Sequence, residues 1–525
     1  MFPLSHTISV GYGFLLLWII MLQSDLPISR ACIKHERISL LDFKAGLNLS
    51  FGRLSSWRGF NCCQWEGVGC DYNTSHVIRL DLSADPDVND NWLRRSEFRP
   101  SLFHLQHLEH LDLSRNSFNG SSIPPQLSKL QRLSFLSLSN AGFCGEVPLE
   151  LGNMSSLRHL DISDNFCLFQ ISDSDWYWEY CLRSSKFDVW IRNLRSLEFL
   201  GMDKVNLTMA SKKWGEALSG HANLTQIHLS RCGLSGNIPD LSNLTSLSHL
   251  HIGSNSFPFQ LPYWFENMSS LVSLDLYDCG LNSTIPSNFL PRSKLRNLVL
   301  DFNIDMQGSN LSFILDHSSS LVVLSVHHCN LGGVIPPSIA DFSKLETMDL
   351  SKNNLNGSIP SSFDSLSSLA TLDLSDNQLT GQIPTSLCQL PVLSKLDLYH
   401  NQLSRTIPES VSKLASLEVL SLNYNHLTGQ IPSSLCELLV LNELHLGHNQ
   451  LSGTISNSIS KLASLEVLTL PSNRLRGTIS LQMFDNLTRL QGLDLSENQF
   501  TIAISTSWVP QFGHLEYLAL RSCNI

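Results

Sequence analysis

A compact chain of 525 residues would ordinarily divide into several domains, and a formal charge of −11 argues against a general binder of nucleic acid or anionic membrane. Charged residues are only 15 %, while Leu, Ser and Asn are over-used against a typical globular composition. The 19 histidines make the charge conditional: with an ordinary pKa of about 6.5, most would charge in a mildly acidic medium and bring the net charge to about zero or slightly positive.

Residues 1–31 differ from everything after them. Val10–Leu22 is almost wholly apolar, and Ser29-Arg-Ala31 offers a small-x-small cleavage pattern ahead of Cys32, as in a secretory signal peptide. The run is short of the roughly 20 residues that span a bilayer, which favours removal over anchoring. No later apolar run is long enough to cross a membrane, so the chain as given is expected to carry neither an anchor nor a cytoplasmic part. Export also fits the Asn-x-Ser/Thr glycosylation acceptors at Asn48, Asn73, Asn119, Asn153, Asn206, Asn223, Asn243, Asn267, Asn282, Asn310, Asn356 and Asn486. Asn153, Asn243, Asn267 and Asn486 each precede a strand-opening Leu by four residues, so their glycans would leave on one common flank.

Residues 32–75 read as a cap. Leu40, Phe43 and Leu47 share one face of a helix over Glu36–Leu47, and Cys62-Cys-Gln-Trp-Glu-Gly-Val-Gly-Cys70 follows Ser56-Trp57. Cysteines this close in an exported chain read as disulfides. Cys62 and Cys63 are adjacent and do not readily bridge each other; Cys63–Cys70 closes a short loop, which leaves Cys32–Cys62.

From His76 to residue 525 a beat of about 24 residues repeats. Leu369–Pro384, LATLDLSDNQLTGQIP, shows it in full, and Asn353, Asn377, Asn401, Asn425, Asn449 and Asn473 are each 24 apart. This spacing, L-x-x-L-x-L-x-x-N/C, is that of a leucine-rich repeat, a solenoid in which each coil needs only its neighbours to bury its apolar face. About 18 coils are expected, with a parallel concave sheet on the Leu-x-Leu segments in a right-handed α/β superhelix. The return side is expected to be irregular or 3₁₀-like. The Asn slots would form a ladder that satisfies backbone groups of neighbouring coils. Cys232, Cys279, Cys329 and Cys523 take the slot as small buried thiols, and Ala141 and Val205 depart from it.

The beat breaks most between Asn165 and Val205, where the excess (about 167–193) contains Cys167 and the aromatic, acidic run Asp173–Cys181. It is expected to bulge out and to close through Cys167–Cys181, with Cys144–Cys167 as the rival pairing. Residues 385–432 and 433–480 look like copies of one 48-residue unit; Cys388 and Cys436, two coils apart, are expected to be buried thiols.

The recurring Leu-x-Gly-x-Ile-Pro resembles the plant-specific class of leucine-rich repeats, and Glu36-Arg37, Leu40-Leu-x-Phe-Lys44, Ser56-Trp57 and Cys63-x-Trp-x-Gly-Val-x-Cys70 resemble its N-terminal cap. That resemblance supports the cap pairing given above. Leu108–Asn116 and Leu138–Phe143 resemble the opening of plant receptor-like proteins, notably the group with fungal-xylanase receptors. The resemblance implies a kinase-lacking extracellular receptor that recruits a kinase-bearing co-receptor. Members continue through further repeats, a C-terminal cap and one transmembrane helix, so this chain reads as a partial receptor. The alternative is a secreted inhibitor of a microbial wall-degrading enzyme, similar to polygalacturonase-inhibiting proteins.

No catalytic motif occurs in a fitting context, and no enzyme activity or cofactor is expected. His327-His-Cys329 is the nearest approach to a metal cluster, but neighbouring strand residues point to opposite faces, so no metal is expected. The recurrent Asp after the strand Leu (Asp112, Asp161, Asp275, Asp349, Asp373, Asp397, Asp494) reads as solvated sheet residue. The irregularity that points to function is aromatic and His residues assigned to the concave strand face: Tyr277, Phe302, His327, His328, Tyr399, His400, Tyr424 and His448. Exposed aromatics favour binding. With Trp176 and Trp178 of the insertion they are the candidate contacts for a peptide, protein or glycan ligand.

Overall fold

The computed structural model describes residues 32–47, 54–84, 96–170, 176–258, 261–282, 294–306, 311, 320–503 and 513–523, and for 167–170 and 176–180 the backbone alone. The proposed signal segment lies outside them, as do Asn48 and Asn310. Among the described residues, eighteen strands of three to five residues pair in parallel, one per coil, from Val77–Asp81 to Tyr517–Ala519. Register holds throughout: Leu372 faces Met348 on one side and Leu396 on the other, and Asp373 faces Asp349 and Asp397. The central strand residue is buried in each coil from Leu80 to Leu493, and burying one such side chain is worth about 1.5–3 kcal/mol. At the last described strand Tyr517 and Leu518 are exposed.

The slot amides tie the coils together. Asn377 donates from Nδ2 to Leu350 O of the coil before it (3.0 Å) and to Leu374 O and Ser375 O of its own (3.2 and 3.0 Å). Its Oδ1 accepts the N–H of Leu355 at 3.0 Å. A thiol reproduces only the donating half: Cys329 Sγ reaches Leu300 O at 3.0 Å and Cys232 Sγ reaches Met202 O at 3.1 Å. Burial pushes the Cys279 and Cys329 thiols up to about 12, so both stay protonated and inert. Cys388 and Cys436 are free and buried, as their spacing predicts.

The side opposite the concave sheet carries one-turn 3₁₀ segments such as Ser361–Ser365 and Glu409–Lys413. The sequence reading missed a second parallel sheet of eight strands, from Gly332–Val334 to Gln499–Ala503. It forms where the chain leaves each Asn slot, as in Gln378–Gly381 and Gln402–Arg405, because stacked coils bring extended Asn-x-Leu-x-Gly segments into hydrogen-bonding range.

Helix α1 (Lys34–Ala45) starts two residues earlier than expected and buries Leu40 and Phe43 against the first coils. Cys32–Cys62 and Cys63–Cys70 are bonded as anticipated, with Cα separations of 5.2 and 5.4 Å. Strand β1 (Val68–Cys70) runs antiparallel to β2 (Val77–Asp81), which closes the end of the large sheet. Gly67 is obligatory there: its φ is +74°, and a Cβ would sit 2.0 Å from the carbonyl oxygen of Asp81. Trp57 and Trp65 stack at 5.3 Å, each donating its indole N–H to a backbone carbonyl.

The insertion leaves the coil as a hairpin, Phe166–Gln170 antiparallel to Trp176–Tyr180, and rejoins by pairing Leu182–Arg183 with Gly145–Glu146. Cys144 and Cys181 are both disulfide-bonded, which neither Cys167–Cys181 nor Cys144–Cys167 alone accounts for. The side chains of Trp176 and Trp178 lie outside the described residues.

Candidate functional site

The concave strands are shorter than the sequence reading assumed, and this moves the candidate residues. The strand of the Tyr399/His400 coil is Lys395–Asp397, and that of the Tyr424 coil is Val419–Ser421. Tyr277, Phe302, His327, His328, Tyr399, His400, Tyr424 and His448 therefore stand beyond the strand, on the turn that descends into the Asn slot. Their assignment to the strand face is corrected to the rim of the sheet. Phe302, His328, His400, Tyr424 and His448 occupy the residue before the slot, where φ is +61°, +53°, +51°, +57° and +52°. Left-handed backbone there is imposed by the coil, since Arg115, Asp164, Lys352, Asp376 and Glu497 adopt it at matching places.

The eight residues gather into two clusters. In one, Phe302 lies 5.2 Å from Tyr277, 4.9 Å from His327 and 5.4 Å from His328, measured between ring centroids. In the other, Tyr424 meets Tyr399 edge-on at 5.4 Å and stacks on His448 at 4.0 Å, and His400 lies 6.3 Å away. His400 Nδ1 sits 2.6 Å from Asp376 Oδ1 of the preceding coil. Phe302 and Tyr424 are 37 % and 42 % exposed.

On the strand face itself lies a row the sequence reading missed. His110, Phe135, His159 and Phe199 open four successive strands in register and stack at 4.1, 4.1 and 4.2 Å. The row then shifts by two residues to His228 (5.2 Å) and His251 (4.5 Å). The shift is possible because Gly201 leaves its place in the sheet bare: a Cβ there would meet the Phe199 ring at 2.9 Å. A scan of the residue before each strand-centre Leu would have found the alternation of His and Phe.

Burial keeps these imidazoles neutral. It lowers His110, His159 and His249, and it brings His228 and His251 down to about 4, with neighbouring histidines as a smaller cause. The fully buried His221, on the side away from this sheet, is lowered for the same reason. The expectation that most histidines charge in mild acid is thus corrected for this set. Among the described residues His110 Nε2 and His228 Nε2 are buried without a hydrogen-bond partner. Beside the row, Asp203 is raised to about 6, chiefly by burial and further by Asp164 and Asp161, against the Ser230 N–H that it accepts at 2.5 Å. Burial likewise raises Asp275 and Asp397, which corrects their reading as fully solvated.

The ten described acceptor asparagines are all exposed. Among the described residues no helix is long and apolar enough to cross a membrane.

A family model described as "Leucine-rich repeat region" matches residues 317–525, and one described as "Leucine rich repeat N-terminal domain" matches 33–71. Receptor-like protein EIX1 of Solanum lycopersicum is 33 % identical over 294 residues, which is 53 % of this chain and 27 % of that protein. Receptor-like protein Cf-9 of Solanum pimpinellifolium is 32 % identical over 291 residues, 51 % of this chain and 31 % of its own length. The match thus spans only about a quarter to a third of these relatives. Among solved structures, a TDR receptor superposes with a TM-score of 0.65 at 27 % identity, covering 80 % of this chain and 70 % of the other. The ectodomain of the Arabidopsis receptor kinase HAESA, in complex with an extended IDA peptide hormone, superposes at 0.58 with 25 % identity, covering 93 % and 89 %. Periodicity, slot ladder, disulfide cap and these likenesses agree: the chain is a leucine-rich-repeat solenoid similar to plant receptor-like proteins and to plant receptor ectodomains.

Proposed function

We propose that this chain is the extracellular ligand-binding region of a cell-surface receptor-like protein, with a peptide, protein or glycan ligand seated along the rim of the concave sheet and the signal passed through a kinase-bearing co-receptor. The observation that carries the assignment of the site is the pair Phe302 and Tyr424. Bulky residues rarely accept left-handed backbone, and the cost is about 1–2 kcal/mol. Both rings are nonetheless partly exposed, and neighbouring rings of their own clusters pack against the remainder. The coil imposes that backbone, so what sets these two places apart is a bulky, partly exposed ring where other coils carry residues such as Arg115, Lys352 or Glu497, and exposed aromatics favour binding. The peptide bound by the HAESA ectodomain supports the same class of ligand. Glycans on the exposed acceptor asparagines, and export through the segment 1–31, complete the reading.

The test uses the secreted chain against a panel of labelled fungal xylanase, secreted plant peptides and wall oligosaccharides. A ligand from the panel is expected to bind the wild type and to lose at least about tenfold in affinity, about 1.4 kcal/mol, with Tyr424→Ala/His400→Ala. A double variant that keeps full affinity for every ligand bound by the wild type removes the site.

A further inference from the structure

The junction between cap and coils buries a carboxylate beneath two imidazoles. Glu36 lies on α1, and its side chain is 1 % exposed. Its Oε2 accepts the N–H of Val77 at 2.8 Å. Its Oε1 lies 2.9 Å from His76 Nδ1 and 3.8 Å from His107 Nδ1. The ligand atoms of Glu36, His76 and His107 all fall within 4.8 Å of one another, and they come from three places: the cap helix, the entry to β2 and the approach to the second coil. No Lys or Arg is ion-paired with Glu36 among the described residues. A buried carboxylate needs a cation or a proton close by, since an uncompensated charge there is costly.

We propose that Glu36, His76 and His107 form a divalent-cation site of the zinc type that ties the cap to the first two coils. Nitrogen and oxygen ligands at about 2.0–2.2 Å from a tetrahedral ion stand roughly 3.3–3.6 Å apart, a spacing bracketed by the two separations from Oε1. The Val77 N–H fixes the carboxylate from behind, as an outer-shell donor does for a metal ligand. The two imidazoles are 23 % and 31 % exposed, which opens a path for the ion and a place for water as fourth ligand. The rings now stack at 3.5 Å. Because a metal must lie in the plane of each ring, binding requires one ring to leave that stack, and His107 is the more exposed of the two. Asp81, His110 and Asp112 form a second cluster of ligating atoms, but Arg79 already pairs with Asp81 at 2.6 Å and opposes a cation there.

The test titrates the secreted chain, free of any histidine tag, with Zn²⁺ and with Co²⁺, whose visible bands report tetrahedral coordination. One ion per chain is expected, with a rise of several degrees in Tm and an affinity that weakens as pH falls and protons compete. His107→Phe keeps a ring on His76 but no nitrogen, and it is expected to weaken binding at least about tenfold and to abolish the Tm rise. His110→Phe is expected to leave both unchanged. A wild type that takes up neither ion at tens of micromolar, a His107→Phe chain that binds like wild type, or loss of binding in His110→Phe each overturns the site. Should His107→Phe not be secreted, carbethoxylation of the wild type decides: Zn²⁺ is expected to protect His76 and His107, and unprotected rings overturn the proposal.

Discussion

Two rows of rings run along the same concave side, built from the same residue types, and they differ in almost every physical respect. The strand-face row from His110 to His251 is half-buried and stacked, and its imidazoles are held neutral by desolvation. In the rim clusters Phe302, His328, His400 and Tyr424 are exposed, and with His448 they sit on left-handed backbone that suits Asn or Gly better. A place in the coil, five residues apart for His110 and Arg115 and three for His228 and Arg231, decides whether a ring braces the sheet or stands at its rim.

The largest effect expected from this contrast is on stability. Phe135→Ala opens a gap between His110 and His159 and should cost about 2–3 kcal/mol, whereas Tyr424→Ala should stay within about 0.5 kcal/mol of wild type. Equilibrium denaturation of the two variants measures it, and equal losses would erase the distinction.

A smaller effect comes from pH. His228 and His251 titrate near 4 when folded and about 6.5 when unfolded, so between those values the unfolded chain binds more protons. Their contribution is whole above about pH 6.5 and is lost as pH falls through about 4; together it is on the order of 2 kcal/mol. Asp203 acts in the opposite sense, because its folded value of about 6 lets it hold a proton that the unfolded chain has released. The informative quantity is therefore the pH dependence of wild type minus that of His228→Phe. A difference that stays flat from neutral to acid would show that the row does not titrate as described.

The smallest effect is a gain. Tyr424→Gly relieves left-handed strain and adds unfolded-state entropy, a net change of about 0 to +1 kcal/mol in stability. The same variant should lose ligand affinity as Tyr424→Ala does. A marked loss of stability instead would make Tyr424 a packing residue.

Much of this molecule was legible in the sequence because each coil repeats the same local bargain between Leu core, Asn slot and turn. The strand positions, the slot at Asn377 and its equals and the buried thiols follow from spacing, and the cap disulfides from spacing together with the resemblance to the plant-type cap. The rim residues were found by the same periodicity but placed on the strands instead of the turn just beyond them, since three-residue strands end before Tyr399 and Tyr424. The ring row escaped notice because His159 and Phe199 are 40 residues apart in the chain, across the insertion, and their contact exists only when the coils stack.

The sequence by itself determined the repeat, its phase and the identity of the side chain at every phase, because those are set by interactions within one coil and its immediate neighbours. Tertiary structure alone decided what lies between coils: the second sheet, the shift of the ring row over Gly201, the lowered histidines, and the carboxylate of Glu36 held beneath His76 and His107. Burial and through-space distance set these features, and neither is written in the period.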